Sequence, residues 1–178
     1  MLFFKLFLFE DVNIIMKSGA QTLANAPTAL LPFLTTNGSL TALLEDKACR
    51  PIRVERSFEG YLTLSLAQKK QLGITGARLN RPLLAWVRKA YLFGNDDEPW
   101  VAAQSIFPIT SLKGNAKRLQ QLKGTPIGYV LFKRRQTLPS QRFITQNELG
   151  WQRQTRYDWL GRTFLISETF LPAFCEKL

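Results

Sequence analysis

Two apolar runs joined by a short polar turn constrain the fold of this chain more than any other feature of its sequence. Residues 83–93 and 100–107 are rich in β-branched, aromatic and aliphatic side chains, and residues 94–97 between them read Gly-Asn-Asp-Asp. Tight turns prefer these residue types. The pattern therefore predicts a central antiparallel hairpin.

Similar strand patterns continue on both sides of the hairpin. They are rich in β-branched and aromatic residues and end at turn-forming residues: 52–66, 141–145, 150–157 and 162–171. We expect the first to be one bent strand or a hairpin. Strands that adjoin through tight turns, with helices inserted between them, predict an α+β single domain built on one antiparallel sheet.

Three short helices are expected, one before the first strand and two between the central hairpin and the strand at 141–145. Ser39 or Thr41 provides a cap for the first helix. Residues 115–122 form the second, because leucines recur there at helical spacing. The third is expected to start at Pro126, with Thr125 as its cap.

The chain has 178 residues, which is enough for one domain. We place that domain at residues 38–178 and treat residues 1–37 as an N-terminal extension. Two explanations of the extension stay open: partial disorder, or translation that starts at Met16 rather than Met1. The apolar opening of the chain is too short to span a bilayer, which needs about 20 apolar residues.

The chain is strongly basic, with 24 Lys and Arg residues against 13 acidic ones and a formal charge of +11. Such a field attracts nucleic acid, acidic lipid or small anionic metabolites. The longest basic run is Lys133, Arg134 and Arg135, and no zinc-finger spacing occurs. We therefore expect no nucleic-acid partner, at most a peripheral contact of this run with a membrane, and mostly solvated surface charge.

The sequence contains no histidine. That absence excludes Ser-His-Asp and Cys-His catalysis and every metal site that uses histidine. Cys49 and Cys175 lie far apart in no metal or redox motif. Their placement favours a reduced, cytoplasmic compartment and no metal.

Two charged residues fall in apolar rows of the predicted strands. Arg88 alternates with Trp86 and Ala90, and Glu168 alternates with Ile166. A charge on the covered face of a sheet costs free energy unless a partner compensates it. Two explanations stay open: the two residues pair with each other or face water, or they line a cavity. In a cavity, Arg88 would bind a ligand carboxylate and Glu168 would exchange a hydrogen bond or proton with a ligand oxygen.

Several short motifs occur in a characteristic order and spacing. They are Trp86-Val-Arg88, Glu98-Pro-Trp100, Pro108 followed by Ser111-Leu112, Gly124-Thr-Pro-Ile-Gly128 with Leu131-Phe132, Trp151 ahead of Arg153, and Ser167-Glu-Thr-Phe-Leu-Pro172. Each motif is short, but the ordered set resembles the chorismate pyruvate-lyase family from about residue 38 to residue 173.

The resemblance implies an antiparallel sheet of about six strands with helices and helical flaps over a buried ligand pocket, and no cofactor. It implies a lyase that converts chorismate to 4-hydroxybenzoate and pyruvate, the first committed step towards ubiquinone. Arg88 then binds the ring carboxylate and Glu168 reaches the ring oxygen, as the catalytic pair. Backbone amides of Ile127 and Ala48 complete the implied binding site.

An apolar surround favours the neutral form of a carboxylic acid, so we expect Glu168 to act as a general acid towards the leaving group. The chain departs from the family at Lys89, Gln104 and Gln154, where Glu, Arg and Arg are common. If these positions support the site, weaker activity or an altered substrate follows.

A related fold serves as the effector-sensing half of certain transcription regulators, so a non-catalytic ligand-binding module is the alternative. We expect no room for their helix-turn-helix here, which favours the enzyme. We expect the protein to be a monomer. We expect the product to be 4-hydroxybenzoate, and its isomer 3-hydroxybenzoate is the alternative product.

Overall fold

Six antiparallel strands form one sheet in the computed structural model, which describes residues 23–132, 138–159 and 161–178. The strands are β1 (Arg53–Thr63), β2 (Leu84–Phe93), β3 (Pro99–Pro108), β4 (Ser140–Asn147), β5 (Gly150–Asp158) and β6 (Thr163–Phe170). Their order across the sheet is β1-β2-β3-β6-β5-β4. The predicted α+β class, the single antiparallel sheet and the central β2-β3 hairpin are confirmed.

Short helices lie around the sheet. They are α1 (Leu31–Thr35), α2 (Leu40–Ala48), α3 (Leu66–Gln71), α4 (Gly128–Leu131) and α5 (Pro172–Cys175). There are also 3-10 helices at Thr28–Leu30, Gly76–Asn80, Ile109–Ser111 and Gly114–Gln121. Among the described residues, no helix has both the length and the apolar run that crossing a bilayer requires.

Two of the three predicted helices differ in detail from the structure. Ser39 caps α2 as expected, by accepting the N–H of Ala42 at 3.3 Å. The second helix is a 3-10 helix rather than an α-helix. The third begins later than predicted, because the N–H of Thr125 closes a turn onto the carbonyl of Leu122 and Ile127 becomes the N-cap.

Of the two alternatives for residues 52–66, a bent strand or a hairpin, the structure has a single strand, β1, interrupted by a β-bulge. Arg56 pairs with Ala90 and Glu59 pairs with Arg88, and the register shifts between Arg56 and Phe58. In a regular strand, residues three apart face opposite sides. The extra residue of the bulge therefore turns Arg56 and Glu59 to the same face of the sheet.

Apolar clusters cover the sheet on both faces. On one face, α1, α2 and α5 pack over one end of the strands, and α4 with the 3-10 segments of residues 109–121 packs over the other end. On the opposite face, Leu64 and Leu72, which flank α3, pack against β2, β3 and β6. The charged residues lie between the first two clusters, at the middle of the strands.

Part of the segment before residue 38 belongs to the hydrophobic core. Leu30 and Leu34 are both 0% exposed and pack in the cluster with α2 and α5. The division of the chain at residue 38 stays a prediction. Met1, Met16 and the basic run Lys133, Arg134 and Arg135 lie outside the described residues.

We predict that Leu34→Ala lowers the free energy of unfolding by about 2–5 kcal/mol, because it removes a fully buried side chain and leaves a cavity. Leu66→Ala, at a position 51% exposed at the start of α3, is the matched control and should change it by less than about 0.5 kcal/mol. Urea unfolding measures both. Equal effects of the two variants would show that α1 is not part of the cooperative core.

Candidate active site

Two rows of residues run across the middle of the sheet from β1 to β4. The first row is Glu59, Arg88, Ser105, Ile166, Thr155 and Arg142, and the second is Arg56, Ala90, Ala103, Glu168, Arg153 and Ile144. Residues directly opposite each other in antiparallel strands point to the same side. We call these two rows the charged rows, because they bring four guanidiniums and two carboxylates to one face.

Arg88 and Glu168 share this face, as the alternation in their strands predicted. Arg88 lies on β2 and Glu168 on β6, with β3 between them. Two strand spacings separate their backbones by about 10 Å across the sheet. The two side chains do not pair with each other, since each has a different ionic partner.

Arg88 is 4% exposed and has partners on two sides. Its Nε lies 3.0 Å from Oε1 of Glu59, which is close enough for an ion pair although the angle does not suit a hydrogen bond. Its Nη2 donates to the carbonyls of Lys123 at 2.7 Å and Thr125 at 3.2 Å. Burial lowers the pKa of Arg88, and the carboxylate of Glu59 opposes that shift. Arg88 therefore keeps its charge at neutral pH and ties the loop before α4 to the sheet.

Glu168 is paired with Arg153, its direct neighbour on β5. Nε of Arg153 donates to Oε2 of Glu168 at 2.6 Å, and Nη1 of Arg153 donates to the carbonyl of Phe33 in α1 at 2.8 Å. Arg153 is 1% exposed. The surround of Glu168 is therefore not wholly apolar, because this buried guanidinium forms an ion pair with its side chain. The role of Glu168 as a general acid stays a prediction.

Arg88 and Glu168 line the same cavity. Its walls come from the sheet, α2 and α4: Leu40, Thr41, Val54, Arg88, Ala90, Leu92, Ala103, Ser105, Pro126, Ile127, Gly128, Leu131, Phe132, Arg153, Tyr157, Ile166 and Glu168. Its volume of about 30 Å³ holds only a few water molecules, and a bound aromatic ring needs roughly 150 Å³. An aromatic ligand must therefore displace part of the wall.

The two backbone amides that were predicted to bind the ligand, those of Ile127 and Ala48, lie in different surroundings. Ile127 lines the cavity, and its amide lies at the start of α4, where a helix leaves N–H groups without intrahelical acceptors. Ala48 lies at the end of α2, packs in the apolar cluster and is not part of the cavity wall. From α2, the cavity wall takes Leu40 and Thr41 instead.

Helices α2 and α4 form the roof opposite the sheet and contact each other closely. A Cβ at Gly128 would come within 2.6 Å of Oγ1 of Thr41, so only glycine permits this approach. Tyr129 on α4 donates its hydroxyl to the carboxylate of Glu45 on α2, and burial with that carboxylate raises the pKa of Tyr129 to about 12. The cavity therefore closes through contacts between two short helices, as the implied flaps would.

Arg142, at the β4 end of the first charged row, has one unsatisfied nitrogen. Its Nε donates to Oγ1 of Thr155 at 3.1 Å and its Nη1 to the carbonyl of Thr36 at 2.5 Å. Its Nη2 is buried and makes no well-aligned hydrogen bond within the part of the chain that the structure describes. Burial and the nearby Arg153 lower the pKa of Arg142, although the hydroxyl of Tyr157 lies close enough to oppose the shift.

Sequence reasoning did not assign Glu59, Arg153 or Arg142 to the site. The sequence does contain a signal for Arg153, because it alternates with Trp151, Thr155 and Tyr157 on a side of β5 that carries no other charged residue. The sequence contains no such signal for Glu59, because the bulge turns its side chain to the face opposite to the one that strand alternation predicts.

Lys89, Gln104 and Gln154, where the chain departs from the family, face away from the cavity. They lie in one row with Ser167 on the opposite face of the sheet. There, Gln71 of α3 donates to the side chain of Gln154 at 2.9 Å. These departures therefore do not touch the cavity wall.

Comparisons with known proteins identify relatives over most of the chain. The family model described as "Chorismate lyase" matches residues 13–177. A "Probable chorismate pyruvate-lyase" from Psychrobacter cryohalolentis is 71% identical over 151 residues, which is 85% of this chain and 90% of that protein. The "Chorismate pyruvate-lyase" of Serratia proteamaculans is 30% identical over 148 residues, with 83% and 81% covered.

One solved structure has a distant likeness. The possible transcriptional regulator YydK from Bacillus subtilis covers 69% of this chain with a TM-score of 0.49 and 10% identity. A similarity this low bears on neither fold nor function.

We predict that Arg153→Met lowers the free energy of unfolding by about 3–5 kcal/mol, because Glu168 loses its buried partner. Adding Glu168→Gln to Arg153→Met removes the unpaired charge and should restore part of the loss. Denaturant unfolding of the single and double variants gives the coupling energy. A coupling energy near zero would show that the ion pair does not stabilise the fold.

Proposed function

Because the chain belongs to the chorismate lyase family, we propose that it removes pyruvate from chorismate and leaves 4-hydroxybenzoate. One observation carries this proposal beyond family membership. A buried guanidinium, Arg88, and a buried carboxylate, Glu168, line one enclosed cavity without pairing with each other. Such a pair suits a ligand with a carboxylate at one end and a hydroxyl at the other.

In this proposal, Arg88 binds the ring carboxylate. Its Nε and Nη2 are used by Glu59 and by two carbonyls, and we propose that Nη1 donates to the ligand. The amide of Ile127 adds a donor from the roof. The amide of Ala48 adds a second one if the last turn of α2 opens, because within the helix this N–H bonds to the carbonyl four residues earlier. A guanidinium held by buried partners is oriented before the ligand arrives, which reduces the entropy lost on binding.

Glu168 contacts the ring hydroxyl in this proposal. Arg153 holds its Oε2, so Oε1 is the oxygen available to the ligand. The reaction breaks the bond between the ring C3 and the ether oxygen, and the ring C4 loses a proton as it becomes aromatic. We propose that Glu168 accepts this proton and returns it to the departing enolpyruvyl group, which becomes pyruvate. Arg153 then acts as a positioning residue for Glu168.

The roof formed by α2 and α4 has to open for substrate to enter and for product to leave. The cavity of about 30 Å³ is far smaller than an aromatic acid, and α2 and α4 are joined by the contacts of Gly128 and Tyr129. Closing this roof over a bound ligand would exclude water from the charged rows and strengthen their interactions.

The cellular setting belongs to the same proposal. We place the enzyme in the cytoplasm as a monomer, with chorismate as its only partner and at most a peripheral membrane contact. Its product would open the route to ubiquinone.

The direct test is incubation of purified protein with chorismate. We predict equal amounts of 4-hydroxybenzoate and pyruvate, measured by chromatography and a coupled pyruvate assay. Formation of 3-hydroxybenzoate would contradict the proposed placement of Glu168. Tight binding of 4-hydroxybenzoate with no pyruvate would instead support a ligand-binding module without catalysis.

We predict that Glu168→Gln lowers kcat by about 10²-fold or more, because the amide cannot accept and return the proton. The affinity for 4-hydroxybenzoate should change far less, since Gln still hydrogen-bonds the ring hydroxyl. Glu148→Gln, an exposed position in the β4-β5 turn, is the matched control and should leave kcat unchanged. Wild-type turnover by the Glu168→Gln variant would rule out the proton-transfer role.

Arg88→Ala provides the contrasting variant. It removes the group that binds the ring carboxylate, so the affinity for 4-hydroxybenzoate should fall by about tenfold or more. Calorimetry measures this affinity. An unchanged dissociation constant would show that the ring carboxylate binds elsewhere.

A further inference from the structure

We propose that Arg142 and Arg153 bind the second carboxylate of chorismate, the one on the enolpyruvyl group. This inference rests on the proposed function, because it concerns the same substrate. Arg153 lines the cavity that holds Arg88 and Glu168, and Arg142 lies next to Arg153 in the charged rows, just outside the cavity wall. It adds two residues that discriminate the substrate, with two carboxylates, from the product, with one.

The first observation is the unsatisfied nitrogen of Arg142. Nε and Nη1 are held by Thr155 and by the carbonyl of Thr36, so the guanidinium has a fixed orientation. Nη2 is buried and makes no well-aligned hydrogen bond to any described residue, although the Tyr157 hydroxyl lies nearby. A buried donor without a partner is costly, and it is rare unless something binds to it. A carboxylate is the acceptor that a guanidinium binds most strongly.

The second observation is the order of the charged groups across the sheet. From β2 to β4, the charged rows present Arg88, then Glu168 on β6, then Arg153 on β5, then Arg142. A ring with its carboxylate at Arg88 and its hydroxyl at Glu168 places the enolpyruvyl group beside that hydroxyl, on the adjacent ring carbon. A substituent at that end of the ring lies next to Arg153 and Arg142.

The third observation is the charge balance of the charged rows. They contain the guanidiniums of Arg56, Arg88, Arg142 and Arg153 but only the carboxylates of Glu59 and Glu168. Two positive charges are therefore in excess on this face, equal to the two carboxylates of chorismate. After the reaction, pyruvate carries one carboxylate away, which leaves Arg142 and Arg153 without their ligand while 4-hydroxybenzoate remains at Arg88 and Glu168.

The test compares chorismate with 4-hydroxybenzoate in Arg142→Gln. Loss of one charge-assisted hydrogen bond should raise KM for chorismate by about tenfold or more. The dissociation constant of 4-hydroxybenzoate, which has no enolpyruvyl carboxylate, should change by less than about twofold. Arg156→Gln is the matched control, because Arg156 lies on the same strand as Arg153 but faces the other side, where it donates to Gln141. It should change neither constant.

Equal loss of affinity for both ligands would overturn the proposal, because it would mean that Arg142 only supports the fold. An unchanged KM for chorismate would overturn it as well. If Arg142→Gln does not fold, Arg142→Lys replaces it: the ammonium keeps the charge but lacks the planar donors, so KM should still rise while 4-hydroxybenzoate binding stays constant. Failure of the wild-type protein to convert chorismate at all would instead refute the proposed function.

Discussion

Charge buried at the centre of one sheet face is the constraint on which the rest of the structure depends. Arg88 and Arg153 are almost fully buried, and each needs an anionic partner close by. The β1 bulge supplies Glu59 for the first, and direct strand pairing supplies Glu168 for the second. Apolar clusters on either side seal this charged centre, so any ligand that enters meets fixed charges in a region of low dielectric constant.

The same arginines also hold the elements that cover the site. Arg88 binds the carbonyls of the loop that precedes α4, and Arg153 and Arg142 bind carbonyls of Phe33 and Thr36 at the end of α1. Each guanidinium thus joins the sheet to a covering segment. Binding at the charged rows and closure over them are therefore physically linked.

Local periodicity was sufficient to predict the β2-β3 hairpin and the shared face of Arg88 and Glu168, because alternation depends only on strand geometry. The partners of these residues depend on register, which the sequence does not show. Glu59 reaches Arg88 only because a bulge adds a residue to β1, and Arg153 meets Glu168 only because β5 pairs with β6. Helix α1 was missed since it has no side-chain cap, and its burial comes from tertiary packing.

In the proposed complex, Arg88 and Glu168 hold opposite ends of one aromatic acid beneath α2 and α4. A crystal structure of the protein with 4-hydroxybenzoate is the decisive experiment. We expect the ring carboxylate at the guanidinium of Arg88, the ring hydroxyl at the carboxylate of Glu168, and α2 and α4 moved apart to admit the ring. A ligand bound outside this cavity, or bound with the Arg88 and Glu168 ends reversed, would contradict it.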